Sequence, residues 1–124
     1  MTICERMNDI LKVHKAHINK VKRTINRHKA LTVDEITELK KAVNAWYDEL
    51  IDEEGELLYS SLMEHDYDIP YKSIDYCYDK YEELLAYLDD YEKIGKAVEK
   101  IANKISDLID NIHENAIYDE KDSY

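Results

Sequence analysis

The chain has 124 residues, of which 44% are hydrophobic and 36% charged, with a net charge of −11, 2 glycines and 1 proline. That length fits one domain able to bury its own core, and so few chain breakers favour long helices over hairpins. Scarce glycine argues against phosphate-cradling loops and nucleophile elbows, and no run approaches the roughly 18 apolar residues that a bilayer span needs.

In the first segment Met7, Leu11, His14, Ile18, Val21, Ile25 and His28 follow one another at alternating steps of four and three. That rhythm keeps them on one stripe of an α-helix, expected over about residues 3–29. The segment is also the cationic part of the chain. Residues 1–30 hold 8 Lys/Arg against Glu5 and Asp9, whereas residues 31–124 hold 9 against 26 acids. Lys12, Lys15, Lys20, Lys22, Arg23, Arg27 and Lys29 can touch phosphates, but the acidic remainder would repel a nucleic acid over a Debye length of about 8 Å. Direct nucleic-acid binding is therefore not expected. A basic helix packed beside acidic ones explains the same pattern.

Thr32 and Glu35 have the spacing of a capping box and open a second helix. Ile36, Leu39, Val43, Trp46 and Leu50 carry its stripe, and Leu57, Leu58 and Leu62 continue it to about residue 64 across Gly55, where the helix is expected to weaken or bend. Residues 65–70 form a loop, with Asp68 a candidate cap and Pro70 suited to the first turn of the next helix.

Beyond the loop, Ile74, Cys77, Tyr81, Leu84, Leu88 and Tyr91 repeat at threes and fours, with Tyr78 and Leu85 widening the stripe. These tyrosines read as core rings whose hydroxyls reach the rim of a narrow bundle. A second stripe, Ile94, Val98, Ile101, Ile105, Leu108 and Ile112, is displaced by one residue from strict continuation. One long helix over about residues 71–116, bent at Gly95, is the preferred reading, because a lone glycine is a weak breaker. A turn at Gly95, giving a fourth helix, is the alternative. The acidic tail 118–124 is expected to fray.

The fold class is thus all-α: three long amphipathic helices, or four, in an antiparallel bundle or coiled coil, with residues 1–117 as one domain. At 1.5 Å per residue the last helix would reach roughly 69 Å and the first only about 40 Å. The uncovered seam must meet another chain or fold back, and a homo-oligomer is expected.

Candidate chemistry is sparse. Cys4 and Cys77 form no paired motif and read as reduced packing thiols, so an intracellular, cytoplasmic protein is expected. His14 with His17, and Asp110 with His113, are incomplete ligand sets, and neither a metal nor a cofactor is expected. His14 and His28 read instead as seam-edge histidines that hydrogen-bond; full burial would make stability pH-sensitive. No catalytic motif is present, and a non-enzyme is expected.

The acidic surface is the stronger candidate. Asp48, Glu49, Asp52, Glu53, Glu54 and Glu56 crowd one stretch of the second helix. On the third, Asp75, Asp79, Glu82, Glu83, Asp89 and Asp90 lie off the seam, with Tyr76 and Tyr87 among them as amphipathic anchors. Carboxylates a helical turn apart match the spacing of successive phosphates and suit a basic groove on a partner protein.

In composition, over residues 46–91 above all, the chain resembles the small, acidic, tyrosine-rich helical proteins by which viruses mimic DNA or block host nucleases, antirestriction and anti-CRISPR inhibitors among them. The resemblance implies a non-catalytic inhibitor, of viral origin, that blocks a nucleic-acid-binding host or defence protein. The basic first helix departs from a uniformly acidic mimic and suits docking on an acidic partner. A structural coiled-coil or assembly protein that self-associates through its seams is the alternative. A helical nuclease or metal protein is a further one, because residues 23–28 have the R-x4-H spacing of a family of helical ribonucleases.

Overall fold

The computed structural model describes residues 1–27 and 30–122, with side chains up to residue 112. It contains three helices: α1 (Ile3–Asn26), α2 (Val33–Glu64) and α3 (Tyr71–Asp122). Each begins where the local chemistry favours it. Thr2 accepts the Glu5 N–H at 3.1 Å at the head of α1. Thr32 and Glu35 close the expected capping box at the head of α2, with Oγ1 accepting at 3.1 Å and the carboxylate at 3.4 Å. Pro70, rather than Asp68, occupies the cap of α3, its carbonyl accepting from Ser73 and Ile74 at 3.1 Å.

The helix ends are set locally. α1 stops at Asn26, short of residue 29, because Arg27 is already extended. His65 ends α2 in the left-handed region at φ 51°, where its N–H reaches the Ser61 carbonyl. Asp66 then ties the α2–α3 loop to the start of α1, accepting the Ile3 N–H at 3.1 Å, a position where a carboxylate also meets the positive end of the helix dipole.

All three helices pack on one another. His14 meets Tyr81 and Glu53, Lys40 meets Asp89, and Tyr47 meets Glu82, so α1 and α3 run parallel with α2 antiparallel to both. Between them lie Met7, Leu11, Ile18 and Val21 of α1, Ile36, Val43 and Leu50 of α2, and Ile74, Cys77, Tyr81, Leu84 and Leu88 of α3, all buried. These are the residues that the three–four spacing singles out.

Neither glycine breaks a helix. Gly55 stands in open space within unbroken α2. At Gly95 a Cβ would come within 3.1 Å of Val33 Cγ2, so its lack of a side chain lets the start of α2 press against α3. The turn considered at Gly95 is absent, and so is a fourth helix. α3 runs 52 residues, roughly 78 Å, against about 36 Å for α1 and 48 Å for α2. It continues to Asp122, past the expected end near residue 116, because no glycine or proline follows Gly95 to stop it.

Candidate functional site

The acidic residues do not share one face. At about 100° per residue, the side chains of α2 fan around Leu50, and α1 and α3 pack on either flank of that line. Glu53 turns inward to His14, while Glu54 sits beside the Tyr78 hydroxyl on the α3 side. Glu49 acts on His17 and so borders α1, and Glu56 lines a cleft with Arg6, Asp9 and Ile10 of α1. Asp48 and Asp52 point to solvent.

α3 divides its residues in the same way. Glu82 accepts from the Tyr47 hydroxyl at 3.0 Å, and Asp89 is held by Lys40, both on the α2 flank with Asp75. Tyr76 and Tyr87 lie on the opposite flank, near α1. The Tyr76 ring has the ammonium groups of Lys15 and Lys80 over it at 5.8 and 5.7 Å, and Tyr87 stacks on Tyr91 and lines a groove with Lys22 and Ile25. Asp79, Glu83 and Asp90 occupy the outer ridge, where Glu83 takes a hydrogen bond from Lys80. Fourteen candidate residues therefore spread over three sides of the bundle. Asp89 and Glu82 also have cationic or hydroxyl partners within the chain: the Lys40 hydrogen bond holds the Asp89 carboxyl below its ordinary range, and Glu82 raises the Tyr47 hydroxyl.

At the centre lies a polar cluster that the stripe pattern hinted at through His14 and Tyr81. The His14 ring is 1% exposed, with Nδ1 2.6 Å from the Tyr81 hydroxyl and Nε2 2.9 Å from Glu53 Oε1. A carboxylate can only accept, so neutral His14 carries its proton on Nε2 and takes the Tyr81 O–H at Nδ1. Burial pushes the Tyr81 hydroxyl well above its ordinary value and keeps it a donor. The chain Tyr81–His14–Glu53 has the order of a nucleophile, base and orienting acid. However, Tyr81 is 0% exposed, so no substrate can reach its oxygen, and the cluster acts as an internal brace.

His17, one turn on, stacks face to face on Trp46 at 4.1 Å and 6°. Burial lowers its affinity for a proton, the neighbouring His14 lowers it further, Glu49 opposes the shift and Lys20 adds to it. The folded chain thus holds this proton less tightly than the unfolded chain, whose histidine titrates near about 6.5. Stability from this group is complete above that value and is lost as pH falls through it toward the lowered value. The urea midpoint is expected to drop between about pH 7 and pH 5, and His17→Gln to shallow that slope. An unchanged slope in the variant would assign the pH response to other groups.

Both His14 nitrogens are engaged within the chain, by Tyr81 and by Glu53. Among the described residues no three His, Cys, Asp or Glu side chains converge as ligands would. His28, which completes the R-x4-H spacing, lies outside the described residues, as does the side chain of His113.

The largest unpartnered surface is on α3. Past Gly95 the helix leaves the bundle, and Ile94, Val98, Ile101, Ile105, Leu108, Ile109 and Ile112 are each 49–65% exposed. Stripe residues of the same kind earlier on α3, from Ile74 to Leu88, are at most 7% exposed. Monomers seldom show a contiguous apolar patch beyond a few hundred Å² unless it binds something. No helix among the described residues is long and apolar enough to cross a membrane, so this stripe is not a bilayer span. Comparison with protein-family models, with curated proteins and with solved structures finds no match to this chain.

Proposed function

We propose that the protein is a non-catalytic interaction module whose working surface is the projecting half of α3. The observation that carries this reading is the bare stripe from Ile94 to Ile112, seven large aliphatic side chains held in line by a helix that the rest of the chain does not cover. Leaving such a stripe in water forgoes the burial that dominates helix association, so a surface of this kind is stable in function only when a partner covers it. The assembly reading of the sequence agrees with this placement.

The second reading keeps the acidic surface as the binding face for a basic protein, in the manner of an inhibitor that mimics nucleic acid. It is favoured by the outer ridge of α3, where Asp79, Glu83 and Asp90 lie in line and exposed, with Tyr76 and Tyr87 at its edge. The division of the other acids among three sides makes this the weaker reading.

One experiment separates them. The chain, isolated gently from cells that make it, should run above its 14.7 kDa monomer mass. Ile101→Asp together with Ile105→Asp should return it to monomer mass with its helix content intact, because both side chains are more than half exposed. Asp75→Lys, Asp79→Lys and Glu82→Lys should leave the complex in place. Loss of the complex with the charge reversals alone would move the site to the acidic face. A chain that never leaves monomer mass would overturn the module reading.

A further inference from the structure

The bare stripe of α3 invites one question above others: what covers it? Its spacing is heptad spacing, with Val98, Ile105 and Ile112 at one core position and Ile94, Ile101 and Leu108 at the other. The flanks of that seam hold Gly95, Ala97, Ala102, Ile109 and Asn111, with Lys104 as the one charge between Gly95 and Ile112 at those positions. Flanking positions ordinarily carry the charges that select partners. Here they are nearly uncharged and, apart from Lys104 and Ile109, short, so a second helix can approach closely and is not selected by flanking ion pairs.

Charge along the projecting helix is instead divided by halves. Lys93, Lys96 and Lys100 precede the midpoint, with Glu99 the acid among them, and Asp107, Asp110 and Glu114 follow it, with Lys104 the base among them. The bundle at the base is strongly acidic, with 12 Lys/Arg against 21 Asp/Glu in residues 1–92. A parallel pair would set two such bundles side by side and lay like halves of α3 on each other. An antiparallel pair lays the basic half on the acidic half. It also places the two bundles at opposite ends of a seam of 19 residues, roughly 28 Å, well beyond the Debye length of about 8 Å.

We infer that the occupant of the stripe is a second copy of this chain, paired antiparallel along residues 94–112. This rests on the module reading above and names its partner. Centred on residue 103, the pairing sets Ile94 against Ile112 of the second copy, Val98 against Leu108, and Ile101 against Ile105, which matches the two core positions all along the seam. The outermost pair falls beside the groove where Leu31, Val33, Ile36 and Tyr91 meet the departing helix, so the new seam continues the existing core without a gap. The interface is isologous and closes at two chains.

The test uses purified full-length chain carrying Cys4→Ser, because Cys4 is half-exposed while Cys77 is buried. Light scattering at tens of micromolar should give twice the 14.7 kDa of one chain. Chains with Val98→Cys and chains with Leu108→Cys, mixed and oxidised with glutathione disulfide, should form the mixed cross-linked dimer, and neither should cross-link to itself. In a parallel pair Val98→Cys would cross-link to itself instead, and that result, or a mass of three or more chains, overturns the proposal. A purified chain that stays monomeric also overturns it. Should that monomer still enter a complex in cells, lost on Ile101→Asp with Ile105→Asp, the module reading stands and the occupant is a foreign helix.

Discussion

Replacing Tyr81 by alanine is expected to lower the stability of the bundle by about 3–5 kcal/mol, the range for truncating a fully buried aromatic ring. Tyr81 is among the largest side chains with no exposure, and its ring meets His14 edge-on at 5.7 Å and Tyr47 at 6.3 Å. Truncation removes those contacts, opens a cavity in the core, and strands the His14 Nδ1 that its hydroxyl now satisfies. Tyr81→Phe separates the two effects. It keeps the ring and removes only the donor, so its cost should be about 1–3 kcal/mol, that of one buried polar group without a partner. Urea denaturation followed by circular dichroism reads both. A phenylalanine variant as stable as the parent would show that the Tyr81–His14–Glu53 brace contributes nothing net, and the cluster would then need another explanation.

The second large effect is a contrast between two aliphatic residues of one helix. Leu88→Ala should cost about 2–5 kcal/mol, because Leu88 is 0% exposed beneath α1 and α2. Ile105→Ala should change the stability of dilute protein by less than about 0.5 kcal/mol, because that side chain is 52% exposed and stands outside the core cluster. Nothing in the immediate sequence around the two residues announces this difference. At concentrations where chains pair, the Ile105 variant should fall behind its parent, and its deficit should grow with concentration. A large deficit in dilute protein, independent of concentration, would mean that α3 folds back on its own bundle.

The divided acidic surface also bears on how charge is accommodated here. Arg6 pairs with Glu64 across α1 and α2, Lys40 pairs with Asp89 and Glu92 across α2 and α3, and Lys15 lies over Tyr76. The cationic helix α1 thus sits against two anionic ones and softens their repulsion. Exposed pairs of this kind add little stability each. Their arrangement matters more as a reason why Tyr76, an expected anchor for a partner, already has cationic neighbours within the chain.

Much of this architecture is written locally. The stripe from Met7 to Val21, the Thr32–Glu35 box, the loop before Pro70 and the ring of Tyr81 in the core all follow from periodicity and capping, which act over one or two helical turns. Even the excess length of the last helix over the first is plain from the residues. Other features were decided only when three helices came together. Which way a carboxylate faces depends on where the third helix packs: Glu53 became an internal partner of His14 and Glu49 a neighbour of His17 because α1 lies on that flank of α2. Gly95, which reads as a weak point of the helix, is also the point where Val33 presses on an unbroken α3. The stripes at 74–88 and 94–112 are both apolar and share the three–four spacing, yet one is core and the other bare. A helix records in its own sequence only which side is apolar; what covers that side is set by how far its neighbours extend.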